Sequence, residues 1–347
     1  MSGANIAYHL RVNKHIDRCL FLEVLGVVSA FRPIKEYGYV SMGGNFLEDF
    51  RAVHQQFGIQ QMYSFDGSPN VITRQEVNKP YGFIKCAARK SRDVVTGFDA
   101  LRTEQFGETR NVVVWLDYTM PGERQAQLID VEMLTAKLIA GDVFRVTMNA
   151  NRSSLGSNDE YQRLRDTGKT EHTTLWNFRH ERLVAALGEQ LPPDRNDAEY
   201  LKSNEGFAAT LSRAIKWAAQ KGINQRPELR IEPLLAVAYS DGQEMITVTG
   251  LVLPVAEQEA FNKVLEWAKW ELPKPGDDWD EFVEVGVPHL SIRERHTIHS
   301  VMNQAGQLAP AQVNFRLEDS ASKSAELFEQ YRLHYLRYPT FAPLDAV

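Results

Sequence analysis

Cysteine is scarce in this chain of 347 residues, with Cys19 and Cys86 as its two examples. Their spacing builds no thiolate metal site. Both fall in apolar segments and are expected to be reduced, buried and structural. No apolar run approaches the ~20 residues of a transmembrane helix. The start, Met1 to Arg11, has no apolar core behind a basic stretch, so it does not read as a signal peptide. The expected location is cytoplasmic. Positive charge is not in excess: 39 Lys and Arg face 45 Asp and Glu, for a net charge of −6. A wholesale electrostatic grip on nucleic acid is therefore not implied. The P-loop pattern Gly-x-x-x-x-Gly-Lys-Ser/Thr is missing, which argues against a P-loop kinase or ATPase. So is the Gly-x-Ser-x-Gly elbow of hydrolases. The full Gly-x-Gly-x-x-Gly of a dinucleotide site is missing too, which leaves a nicotinamide dehydrogenase a distant third. His296 and His299 stand three apart without a third ligand, so no metal is expected. No internal repeat is evident.

The strongest positive signal lies in residues 37–66. A short apolar stretch, Tyr37–Met42, runs into the pair Gly43-Gly44. A helical segment follows, and then a second strand, Gln61–Phe65, ends at Asp66. Paired glycines let a backbone turn sharply and approach a ligand closely. The helix that follows aims its free N–H groups at the same spot. Asp66 stands about 20 residues on, where a carboxylate can accept both hydroxyls of a ribose. Glu48 and Asp49 fall in the first helical turn, where carboxylates complement the helix dipole.

Further strands are expected at Tyr81–Ala87, Asn111–Tyr118 and Val143–Met148. Residues 111–118 are almost continuously apolar, as suits a central parallel strand buried on both faces. Between the strands lie a helix or loop over Ser91–Leu101 and an amphipathic helix over Glu123–Ile139. Such alternation predicts an α/β fold with a doubly wound, mostly parallel sheet. Gly43, Asp66, Asp117 and Asn149 then share the carboxyl edge, where open α/β sheets bind ligands. Residues 151–205 read as a helical insertion, and Phe207–Gln220 as a helix. Two apolar runs, Ile231–Tyr239 and Met245–Leu253, flank Asp241-Gly242 as a β-hairpin. A helix over 256–270 and a mainly helical stretch over 281–347 complete the chain. An N-terminal helix over 8–30 has a basic side formed by Arg11, Lys14, His15 and Arg18. It reads as a packing helix with a solvated face, or as a clasp for a phosphate-bearing substrate. The tryptophans are expected to be packing groups. The domain reading is an N-terminal segment over 1–30, a core domain over 31–255, and a helical extension over 256–347.

Five strand–helix units followed by a hairpin resemble the class I S-adenosylmethionine-dependent methyltransferases, over roughly residues 37–255. Within that class the chain is similar to a bacterial O-methyltransferase-like group. The carriers are Tyr8-His9-Leu10-Arg11, Asn13-Lys14, the run Gly43-Gly44-Asn45-Phe46-Leu47-Glu48-Asp49-Phe50, Asp66 and Asp117-Tyr118. The resemblance implies a Rossmann-like sheet ending in an antiparallel hairpin, with S-adenosylmethionine as cofactor. It places Ser41, Gly43, Gly44, Asp66 and Asp117 at the cofactor, and Asp117 and Tyr118 at the acceptor. Two departures stand out. Ser41 occupies the position where typical members carry an acid that holds the methionine amine. Asp117-Tyr118-Thr119-Met120-Pro121 also lacks the Pro-Pro-Tyr of enzymes that methylate base amines.

Two functions follow as expectations. One is a methyltransferase whose acceptor is a nucleic acid, a protein or a small-molecule hydroxyl. Nucleic acid would be met through Arg11, Lys14 and Arg18, with Arg89, Lys90 and Arg92. Asn149, Asn151 and Arg152 are candidates to line the acceptor pocket. The other is a non-catalytic nucleotide- or partner-binding subunit of a bacterial defence or stress system. It would use the insertion and the C-terminal helices as its interface.

Overall fold

The computed structural model describes residues 11–107, 110–270, 272, 275–276, 279–302 and 313–339. One eight-stranded sheet runs through them, built of β1 (Gly38–Ser41), β2 (Gln61–Asp66), β3 (Ile84–Ala88), β4 (Val112–Asp117), β5 (Val143–Asn149), β6 (Leu229–Ser240), β7 (Glu244–Pro254) and β8 (Val283–Val285). Their order across the sheet is β3-β2-β1-β4-β5-β7-β6-β8. Strands β1 to β5 pair in parallel. β7 runs antiparallel between β5 and β6, and β8 lies parallel to β6. The expected mixed α/β sheet with a closing hairpin is therefore present. Its order reverses between β1 and β4, which opens a crevice at the carboxyl edge.

The helices are α1 (Val12–Phe31), α2 (Glu48–Phe57), α3 (Pro69–Asn78), α4 (Ser91–Thr96), α5 (Phe98–Gln105) and α6 (Arg124–Thr135). After β5 come α7 (Asn158–Asp166), α8 (Leu175–Leu187), α9 (Asn204–Ile223), α10 (Gln258–Trp267), α11 (Ile292–Val301) and α12 (Ala321–His334). They cover both faces of the sheet. On one face α4, α5, α6, α8 and α9 enclose an apolar core with Val112, Val114, Phe144 and Val146. On the other, α1, α2, α10, α11 and α12 pack with Val113, Trp115, Val143 and Val237. Alternate residues of β4 thus feed opposite cores, which is why its sequence shows no polar side.

Helix α1 explains much of the second core. Ile16, Leu20, Phe21, Val24, Leu25 and Val28 recur at helical spacing and are all buried. Its polar positions depart from expectation, because the basic side is not solvated. Lys14 is 5% exposed and Arg18 is 7% exposed. Asp17 is wholly buried and pairs with Arg145 of β5. The Arg145 guanidinium also stacks 4.6 Å from the Phe21 ring and 4.8 Å from the Trp115 ring. The helix N-terminus is capped from afar: Asp241 in the hairpin turn accepts the N–H of Lys14 at 2.7 Å and that of Asn13 at 3.3 Å.

Several other expectations need correction. The region after residue 281 is mainly helical where it is described, with the short strand β8 added. Its three residues are too short for a period to show. Both cysteines are half-buried rather than fully buried. Trp267 is 77% exposed and packs in no core. His299 is bonded to the Tyr331 hydroxyl at 2.8 Å. The expected beginning of the first helix at residues 8–10, part of the Tyr8-His9-Leu10-Arg11 motif, lies outside the described residues. No described helix is long and apolar enough to cross a membrane.

Candidate active site at the carboxyl edge of the sheet

Strand β1 ends at Ser41, and the chain turns through Gly43 (φ +65°) and Gly44 (φ +56°). Gln75 of α3 holds this turn by donating to the carbonyls of Met42 at 3.0 Å and Gly44 at 2.6 Å. A Cβ on Gly43 would lie 2.5 Å from Leu47 Cδ2 and 2.7 Å from Ser64 Oγ. Glycine is thus demanded there by backbone conformation and by packing. Helix α2 starts immediately beyond, with its N-terminus beside the turn.

Ser41 leaves the end of β1 without a carboxylate, but α2 supplies one at the same place. Asp49 is 7% exposed and accepts a hydrogen bond from the Tyr39 hydroxyl at 2.7 Å. Burial raises its pKa, while the hydrogen bonds from Tyr39 and Ser41 act the other way. Across the turn, Asp117 ends β4 and accepts from Lys14 Nζ at 2.6 Å through Oδ2. Its Oδ1 is buried and has no hydrogen-bond partner among the described residues. Arg18 approaches Glu48 at 3.6 Å. Lys14, Arg18, Ser41, Gly43, Gly44 and Asp117 line one cavity of only about 20 Å³, together with Glu48, Asp49 and Trp115. That holds about one water.

Asp66 lies at the end of β2, the next strand outward. Its Oδ1 accepts the Ser68 N–H at 2.7 Å, closing the turn into α3. Partial burial raises its pKa, and the Ser68 bond opposes this. Tyr118 does not face the crevice as expected. Its ring is in the core, and its hydroxyl donates to Asp130 of α6 at 2.9 Å. Residue 118 falls on the α6 face of the sheet, opposite to α1. Asn149 and Arg152 serve the architecture after β5. The Asn149 carbonyl accepts from Arg124 at 2.9 and 3.1 Å, and Arg152 donates to the Leu201 carbonyl at 3.2 Å. Asn151 caps the short 3-10 turn that begins at Arg152, accepting from the Ser153 N–H. Arg89, Lys90 and Arg92 are exposed beyond β3, and Arg92 is paired with Asp130.

A second, larger cavity of about 840 Å³ opens at the same sheet edge, beside the hairpin. Ala150, Tyr239, Met245 and Phe282 line it with the carboxylates of Glu205 and Glu244. Burial raises the pKa of Glu244; the nearby positive charge of Arg152 lowers it and the negative charge of Glu205 raises it again. The placement of Lys14, Arg18 and Asp49 beside Asp117 was not visible in the sequence. The basic stripe of α1 was the available signal, but its partner Asp117 lies 103 residues away.

The family model described as "Putative O-methyltransferase" matches residues 6–346. The chain belongs to that family. No curated protein matches this O-methyltransferase-family chain. Among solved structures it is similar to a LepI variant in complex with SAH and a substrate analogue, at 11% identity and TM-score 0.33. That match covers 62% of this chain and 43% of the LepI chain. It is similar to Trm1 from Pyrococcus horikoshii in complex with S-adenosyl-L-methionine, at 12% identity and TM-score 0.38, covering 73% of this chain and 57% of that one. It is also similar to the N-methyltransferase NodS from Bradyrhizobium japonicum, at 10% identity and TM-score 0.31, covering 69% of this chain and 97% of that one.

Proposed function

We propose that this member of the O-methyltransferase family binds S-adenosylmethionine at the carboxyl ends of β1, β2 and β4 and transfers its methyl group to an acceptor seated beside β5. The observation that carries the reading is the convergence at one edge of a left-handed glycine turn, the N-terminus of α2, and the carboxylates of Asp49, Asp66 and Asp117. Asp117 lines the small cavity at this edge, and its buried Oδ1 has no hydrogen-bond partner among the described residues. Asp66 would take the ribose hydroxyls, and Gly43 and Gly44 would allow close backbone approach. S-adenosylmethionine supplies a methyl group on a sulfonium, so the protein's part is to align the acceptor and exclude water. Transfer to oxygen also requires that the hydroxyl proton be accepted. Glu244, whose carboxylate is made more basic by burial, stands in the larger cavity for that task.

The acceptor reading favours a small molecule over nucleic acid. Lys14 and Arg18 are buried against carboxylates and are not displayed to phosphates. The larger cavity has the volume of a small-molecule pocket and carries acidic side chains. A second reading, a non-catalytic subunit, is favoured by the smallness of the cavity at the glycine turn. Calorimetric titration with S-adenosylhomocysteine separates the two. The methyltransferase reading expects micromolar binding, weakened about 10- to 100-fold in Asp66→Ala by loss of charged hydrogen bonds worth ~1.5–3 kcal/mol. A folded wild-type protein that gives no heat at millimolar ligand would favour the subunit reading.

A further inference from the structure

The ion pair between Lys14 and Asp117 lines the small cavity at the glycine turn, where the proposed cofactor site would seat the methionine end. The surrounding cavity of about 20 Å³ cannot take an amino-acid group while the lysine side chain lies there. The backbone around Lys14 is fixed. Asp241 caps its N–H, Asn13 donates to the Ser240 carbonyl at 2.9 Å, and the Val287 N–H donates to Asn13 at 2.8 Å. One turn further on, the wholly buried Asp17–Arg145 pair pins α1 to β5. The helix is therefore held, and the four-carbon stem of Lys14 is the part with freedom to move.

Charge decides where that side chain goes. An α-amino acid end carries one ammonium and one carboxylate, the same two charges as the internal pair. We infer that Lys14 leaves Asp117 when the cofactor binds, so that Asp117 takes the cofactor's α-ammonium, and that Lys14 with Arg18 takes its α-carboxylate. The exchange keeps the net charge of the pocket balanced and leaves no buried ion alone, which is the condition for burying charge cheaply. Arg18 is placed for its share. It lines the same cavity four residues along α1 from Lys14, and its partner Glu48 is 3.6 Å away, a loose contact. Paired with Asp117, the lysine side chain fills much of this pocket. Lys14 is accordingly a specificity-determining residue for the carboxylate of the cofactor.

The inference rests on the proposed cofactor site, and its test separates the two. Binding of four probes is measured by calorimetry: S-adenosylmethionine, decarboxylated S-adenosylmethionine, S-adenosylhomocysteine and 5′-methylthioadenosine, which lacks the amino-acid end. Wild type, Lys14→Met and Arg18→Met are compared, with circular dichroism and thermal melting as folding controls. Wild type is expected to favour S-adenosylmethionine over its decarboxylated form by about tenfold or more, the value of one charged hydrogen bond. In Lys14→Met that preference falls below about threefold, while 5′-methylthioadenosine binds within threefold of wild type. Arg18→Met shows a smaller loss in the same direction. An unchanged preference in folded Lys14→Met overturns the inference and leaves the cofactor site standing. So does equal tightening toward every probe, which would make Lys14 a plug only. If wild type binds none of the four, the cofactor reading and the inference fail together.

Discussion

Removing the carboxylate of Asp17 should destabilise the whole protein, because it strands a buried cation. Arg145 and Asp17 are both fully buried, in β5 and in the N-terminal half of α1. The guanidinium also donates to Thr249 Oγ1 at 2.6 Å, and the Phe21 and Trp115 rings lie beside it. Neither a hydroxyl nor a ring replaces a carboxylate. Breaking one partner of such a pair costs about 3–5 kcal/mol. Unfolding entropy scales at about 2.1 cal/mol/K per residue, so a chain of this size has about 0.7 kcal/mol/K at its midpoint. Asp17→Ala is then expected to lower Tm by about 4–7 °C. Thermal and urea unfolding followed by circular dichroism measure this directly. The double change Asp17→Leu with Arg145→Met replaces the pair by apolar side chains and should recover most of the loss. The reasoning is refuted if Asp17→Ala melts within about 1 °C of wild type. It is also refuted if the double variant is less stable than the single one.

Three further outcomes are expected. Gly43→Ala should lower stability by about 2–4 kcal/mol, read from the urea midpoint, because it combines a left-handed backbone with close contacts to Leu47 and Ser64; a loss under about 0.5 kcal/mol would contradict the packing described. Tyr118→Phe should cost about 1 kcal/mol through the lost bond to Asp130 and leave S-adenosylhomocysteine affinity unchanged, whereas a large affinity loss would return Tyr118 to the site. His334 is buried beside Arg337, and its pKa is lowered to about 4, by burial first and then by the arginine charge. Its contribution is fully present above the unfolded value of about 6.5 and is lost as pH falls toward 4. Urea midpoints between about pH 7 and about pH 5 should therefore fall more in wild type than in His334→Phe, and equal falls would contradict the assignment.

The sheet was legible in the sequence where burial is two-sided. Residues 111–118 read as a central strand because both neighbouring layers require apolar side chains there. The hairpin was legible from its turn residues, although its strands run longer than the apolar runs that mark them. The glycine turn and the position of Asp66 at the end of β2 were legible from spacing. Pairings across the chain were not. Asp17 looks like a surface residue on a helix until Arg145, 128 positions later, is placed against it. Lys14 and Arg18 read as a solvated stripe or a phosphate clasp for the same reason. Ser41 read as a missing acid, because only the folded turn brings Asp49 alongside it. Tyr118 read as facing the crevice because it follows Asp117, yet alternation beyond a strand end sends the two side chains to opposite faces.

The most direct test of the account is a crystal structure of the full chain grown with S-adenosylhomocysteine. The account predicts the ribose hydroxyls on Asp66, the backbone of Gly43 and Gly44 against the ligand, and Lys14 Nζ displaced from Asp117. Ligand bound elsewhere, or bound at this edge with the Lys14–Asp117 contact still at 2.6 Å, would contradict it.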